Sequence, residues 1–137
     1  MNKISLEIES WKTLDYPKKR YGSVKITSTK YKKGYYIMEG VDGFPFYQVK
    51  KPIDVQVLKV NGETWMVDDP CHWIGMQRLA EASSGNVLVG GLGMGQVAYH
   101  LLKNKDVKSI QVVESNYDVV RLIVPMLNMI RAKEEFY

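Results

Sequence analysis

The sequence predicts an α+β fold, an antiparallel β-hairpin module over residues 1–69 followed by a partial α/β unit over residues 70–137. Three observations predict it. Up to Asp68 the hydrophobic pattern has period two, as in Ser23-Val24-Lys25-Ile26-Thr27-Ser28, the repeat of a half-buried strand. Asp69-Pro70 then opens a stretch of helical period, with an oxygen-bearing cap and a proline at the first helical position. Beyond it, Val87-Leu88-Val89 and residues 109–114 bracket a glycine-rich turn and a short helical segment, giving the order strand, loop, helix, strand.

Composition narrows the class. The chain has 137 residues, 45% hydrophobic and 25% charged, enough for one core. Three Trp, nine Tyr and three Phe exclude general disorder. No apolar run is long enough for a transmembrane helix, so no membrane partner is expected. Residues 1–10 lack the apolar stretch of a signal peptide, and Cys71 is the single cysteine, so a reducing cytoplasmic location is expected. A doubly wound enzyme with a separate substrate domain does not fit this length.

Each element has a local reason. In the first half, strands are predicted at residues 23–28, 35–38, 44–49, 55–60 and 63–67, with turns at Lys33-Gly34 and over residues 40–43. Pro45 marks an edge or an irregular start. Asn61-Gly62 predicts a type I′ turn, since both residues tolerate positive φ. In the second half, a helix runs from Asp69-Pro70 to Ala80 and ends at Ser83-Ser84-Gly85-Asn86, with a glycine C-cap expected. A second helix follows Gly95, and Lys103 to Asp106 turns the chain into the next strand. Asn116 caps the last helix, with Val119, Val120, Leu122, Ile123, Leu127 and Ile130 as its apolar stripe and Pro125 expected to kink or split it.

Net charge is +4, and seven basic residues lie between Tyr16 and Met38 with no acidic one: Lys18, Lys19, Arg20, Lys25, Lys30, Lys32 and Lys33. Tyrosines 16, 21, 31, 35 and 36 are interleaved. Such a mixture suits a nucleic-acid backbone and its bases, but it also describes a solvated, solubilising face, and the solvated face is the favoured reading. No helix-turn-helix, zinc-finger or RRM signature accompanies it.

Chemistry concentrates between Asn86 and Glu114. Gly91, Gly93 and Gly95 form G-x-G-x-G, and Glu114 stands 19 residues beyond Gly95. Glycines allow a tight turn and a close approach of backbone N–H groups to a ligand. An acidic residue at the tip of the second strand can accept ribose hydroxyls. Gln96 occupies the third glycine position of the dinucleotide fingerprint, and no G-K-[ST] follows, which excludes a P-loop. A glycine turn kept only for packing, or one serving a different nucleotide, remains the alternative.

The run NVLVGGLGMGQVAYHLL, followed by SIQVVESN, resembles the first βαβ unit of class I S-adenosylmethionine-dependent methyltransferases, within them the spermidine-synthase-like group. The resemblance implies a partial Rossmann-like unit behind a small β-hairpin domain. It implies a cofactor, S-adenosylmethionine or decarboxylated S-adenosylmethionine, with Gly91, Gly93 and Gly95 along the methionyl part. Glu114 would then hold the ribose and Ser115 would lie near the adenine. It also brings the junction residues Asp68, His72 and Gln77 towards substrate. Val89, Leu92 and Met94 depart from the family pattern, and the family's later strands and catalytic residue are not recognisable, so the unit reads as truncated and no catalytic residue is assigned.

The dense group Asp68, Asp69, Cys71, His72 does not have a zinc spacing; Asp69 is expected to cap the helix and Asp68 to end a strand. His100 is expected to pack rather than act as a base. Two parallel strands with uncovered apolar edges predict a homo-oligomer, unless the N-terminal strands complete the sheet. The functional expectation is a transferase-like protein binding a small molecule. Its alternative is a non-catalytic structural or interaction protein on the same partial fold.

Overall fold

The computed structural model of the chain describes residues 5–6, 11–38 and 45–131. Their order is β1 (Ser5–Leu6), β2 (Arg20–Tyr21), β3 (Val24–Tyr31), β4 (Gly34–Ile37), β5 (Phe46–Val49), β6 (Ile53–Val60), β7 (Glu63–Val67), α1 (Pro70–Glu81), β8 (Gly85–Gly90), α2 (Gln96–Leu102), β9 (Val107–Val113) and α3 (Tyr117–Arg131). The fold is mixed α+β. The expected turn at residues 40–43, and Phe44, lie outside the described residues.

The β half forms two sheets rather than a run of sequential hairpins. One has the order β2-β3-β6-β7 and the other β1-β5-β4. β3 pairs antiparallel with β6 along its full length, Val24 opposite Val60 through Tyr31 opposite Ile53. The β4–β5 hairpin is thereby set aside into its own sheet, where β1 joins β5 in parallel, a departure from a purely antiparallel module. The apolar residues decide this pairing: Val55, Val57, Leu58 and Val60 of β6 are buried and need the longest partner strand. Asn61 and Gly62 have φ of +53° and +79°, the expected type I′ geometry. The register shift between Leu58 and Lys59 leaves Trp65 unpaired on β7, a bulge that turns its ring to solvent.

Asp69 caps α1 as predicted, its Oδ1 accepting the His72 N–H at 3.0 Å. The expected glycine C-cap is corrected. α1 ends at Ala82 in a right-handed conformation, while Gly85, at φ +70°, opens β8. Asn104 explains why no glycine turn is needed: its amide donates to the carbonyls of Ala80 and Ser83, each at 2.9 Å, satisfying the helix end from across the fold. α3 runs through Pro125 without splitting. Pro125 and Arg121, whose carbonyl loses its partner, both lie on the exposed side, where water replaces the bond.

β8 and β9 are parallel neighbours, Val87 opposite Ile110 and Val89 opposite Val112, with α2 in the crossover. The N-terminal strands do not extend this sheet, which stays two-stranded among the described residues. A single hydrophobic cluster nevertheless spans both halves, from Leu14, Val24 and Leu58 through Trp73 and Met94 to Leu122, Ile123 and Leu127. α3 is seated on β2 by Arg121, whose guanidinium lies 4.4 Å from the Tyr21 ring centroid.

The junction is tied by Asp68, which is fully buried. Its Oδ1 accepts the Gln56 N–H at 2.6 Å and its Oδ2 the Thr13 hydroxyl, while its carbonyl accepts Trp11 Nε1 at 2.8 Å. Burial pushes its carboxyl above the ordinary range, against the pull of the Thr13 and Gln56 hydrogen bonds. Asp68→Ala should therefore cost about 1–3 kcal/mol by stranding the Gln56 N–H. Asp68→Asn keeps an acceptor for that group and should cost less than half as much. Urea unfolding of both variants at neutral pH checks this, and equal losses would contradict it.

Candidate functional site

The glycine turn leaves the carboxyl end of β8, where open α/β units place their ligands. Its three odd-numbered glycines all have positive φ, +91° at Gly91, +53° at Gly93 and +77° at Gly95. Their surroundings separate them. A Cβ on Gly95 would lie 2.9 Å from Ile123 Cγ2, so this glycine lets α2 pack against α3. A Cβ on Gly93 would meet the Met66 side chain at 2.8 Å. Gly91 and its neighbour Gly90 face open space, and Gly90 has no positive φ. Of the expected cofactor-binding glycines, Gly95 is committed to packing and Gly91 is open to a ligand.

A cavity of about 480 Å³ lies beside the turn, within the range of small-molecule sites. Met66 of β7, His72, Met76 and Leu79 of α1, residues 87–90 of β8, residues 91–94 of the turn, and Gln96 and Leu101 of α2 contribute to its wall. His72, one of the three junction residues singled out in the sequence, lines the cavity. Asp68 does not; it is consumed by the junction. Gln77 is half-buried on α1 and is not part of the cavity wall. Gln96 is 1% exposed, and its buried amide faces the Tyr16 hydroxyl, whose ionised form it favours, although the pair makes no hydrogen bond of ordinary geometry among the described residues. An amide so placed beside a cavity keeps capacity for a further polar partner. Its signal in the sequence was its place at the first position of α2, directly after Gly95.

Glu114 sits just past β9 and braces the turn. Its Oε1 accepts the Leu92 N–H at 2.8 Å and its Oε2 the Asn116 N–H at 2.9 Å. Burial works to raise its pKa, but the N–H groups of Asn116, Leu92, Gly93 and Ser115 outweigh it and hold the carboxyl below its ordinary value. Glu114 borders a second, smaller cavity of about 250 Å³ under α2 and α3, and Leu92 lines both cavities. Ser115 is exposed. The structure therefore joins Glu114 to the glycine turn through backbone N–H groups and places it outside the larger cavity.

His100 packs, as expected, with its ring 4.4 Å from Trp73 and 5.2 Å from Tyr99, edge on to both, at the α1–α2 interface. Its Nε2 is buried with no hydrogen bond of ordinary geometry among the described residues, and the Trp73 backbone acts in the opposite sense to burial on its charge. Burial, then the positive fields of His72, Lys103 and Lys12, lower its pKa to about 4. The folded state thus binds its proton less readily than the unfolded chain, whose imidazole titrates near 6.5. Stability from this group is complete above 6.5 and falls as pH drops towards about 4. His100→Phe should flatten the pH dependence of the thermal midpoint across that window; an unchanged slope would contradict the assignment.

Comparison with protein-family models, with curated proteins and with solved structures finds no match to this chain.

Proposed function

We propose that the chain is a methyltransferase-like, spermidine-synthase-like protein that binds S-adenosylmethionine or its decarboxylated form beside the glycine turn. The observation that carries this reading is the parallel β8–β9 pair whose glycine turn opens onto the cavity of about 480 Å³. Gly90 and Gly91 leave room for a ligand against the backbone, and Gln96 supplies a buried amide whose polar neighbour is the Tyr16 hydroxyl. Glu114 lies outside that cavity, on the second one across Leu92, and would meet a ligand that reaches past the turn. A carboxylate has about four acceptor sites, and the Leu92 and Asn116 N–H groups use one on each oxygen. The Gly93 and Ser115 N–H groups also act on it, so a ribose hydroxyl would share or displace one of these donors while the Leu92 N–H keeps the carboxylate oriented.

When bound, the sulfonium supplies a carbon activated for attack by a nucleophile. The chain's own residues orient it and keep water out, a task suited to the apolar wall of Met66, Met76, Leu79 and Leu101. Transfer of a methyl or aminopropyl group remains part of the proposal, with no catalytic residue assigned.

Calorimetric titration with both ligands tests binding. Gly90→Val is the informative variant, because it fills open space without backbone strain, whereas a change at Gly93 or Gly95 also disturbs packing. It should weaken binding at least tenfold at an unchanged thermal midpoint. No heat from the unmodified chain at millimolar ligand would overturn the reading.

One feature favours a non-catalytic interaction role. Leu88 and Val113, largely exposed, share the β8–β9 face opposite Ile110 and Val112, and parallel strands are ordinarily covered on both faces. A homo-oligomer formed through this face would bury them. Sedimentation equilibrium should then show a mass above the monomer that Leu88→Lys returns to the monomer. A monomer at micromolar concentration without the substitution contradicts it.

A further inference from the structure

We propose that the outer face of the β4–β5 ladder, together with the lysines at its end, docks single-stranded nucleic acid. β4 and β5 are antiparallel, with Tyr35 opposite Gln48 and Ile37 opposite Phe46. Opposed residues point to the same side of a sheet, so these four side chains form one face. That face is open: Tyr35 is 63% exposed, Ile37 68% and Phe46 39%. The opposite face carries Tyr36 and Tyr47, stacked at 5.3 Å, with Tyr31 continuing the stack at 5.1 Å. This inner ladder anchors the hairpin to the core, and the outer rings stand on a rigid base.

Charge completes the surface. The ladder ends at Gly34 opposite Val49, so the segments carrying Lys32-Lys33 and Lys50-Lys51 leave from the same end. All four lysines are exposed. Asp54, three residues beyond Lys51, is engaged by Lys30 at 3.2 Å. The basic run in the sequence is thus divided by the fold. Arg20 goes with β2 in the other sheet, while Lys50 and Lys51, outside that run, come to the β4–β5 end.

Lysines beside exposed rings on an open sheet face match single-stranded nucleic acid, whose phosphates take the ammonium groups while its unpaired bases stack on the rings. An acidic peptide would use the lysines and leave Tyr35 and Phe46 idle.

Fluorescence anisotropy of the full chain with labelled oligouridylate reads this out. At low salt saturable binding is expected, with log K falling against log salt at a slope of about −3, as for four lysine–phosphate contacts on a single strand. The double variant Lys32→Gln, Lys33→Gln should bring that slope to roughly half. Tyr35→Ala should weaken binding about tenfold with the slope unchanged, and Tyr35→Phe should retain it. These positions are exposed, and thermal melts confirm that each variant is folded. No saturable binding at low salt overturns the proposal, as does a Tyr35→Ala variant that binds like the original chain. Displacement by polyglutamate as effective as by unlabelled oligouridylate at equal charge also overturns it, assigning the face to acidic proteins.

Discussion

The dipeptide Asp68-Asp69 holds the two halves of this fold in register. Asp68 looks back into the β half, fixing Gln56 on β6 and the segment of Trp11 and Thr13. Asp69 looks forward, starting α1 through the His72 N–H and accepting the Tyr31 hydroxyl at 3.3 Å through its other oxygen. Consecutive carboxylates repel, and burial of Asp68 raises that cost. Distribution over separate donors offsets it, since each oxygen meets a group that would otherwise be unsatisfied. The direction of α1 then fixes the rest: Trp73 meets Tyr99 and His100 on α2, and α2 follows the glycine turn.

The glycine turn divides its glycines between packing and open space. Gly95 is small because Ile123 is close, Gly93 because Met66 is close, and Gly91 because its backbone is left-handed in open space. Only the last has a conformational requirement without a packing partner. Glu114 mediates between the two tasks. It satisfies N–H groups of the turn and of the segment leading into α3, so the turn keeps its shape before any ligand arrives.

Elements written in local chemistry were legible. Asn61-Gly62, Asp69-Pro70, the strand–glycine–helix order and Asn116 as a cap, its Oδ1 accepting the Asp118 and Val119 N–H groups, act within a few residues. What depends on distant partners was not legible. The end of α1 is set by Asn104, 24 residues from Ala80. The pairing of β3 with β6 rather than β4 is a choice between apolar strands that alternation alone cannot make. At the candidate site, the glycines and Glu114 could be picked out by spacing, whereas Gln96 could not, because its burial beside Tyr16, 80 residues away, exists only once the surrounding walls have formed.

The two proposed surfaces share a strut. Tyr31 stacks on Tyr36 beneath the β4–β5 face, and its hydroxyl reaches the carboxylate that caps α1. Burial, reinforced by the negative charge of Asp69, pushes its phenol up to about 12, so it stays a donor throughout the neutral range. α1 in turn presents His72, Met76 and Leu79 to the cavity. A bond that removed freedom from Tyr31 alone would be worth little. Here it joins a stacked aromatic ladder to a capped helix start, and both ends are already ordered by other contacts. Ordering entropy is thus met once for the whole connection. The outer rings of Tyr35 and Phe46 and the wall of the cavity are joined through the half-buried Tyr31 and Tyr36, which is why neither needs a large core of its own.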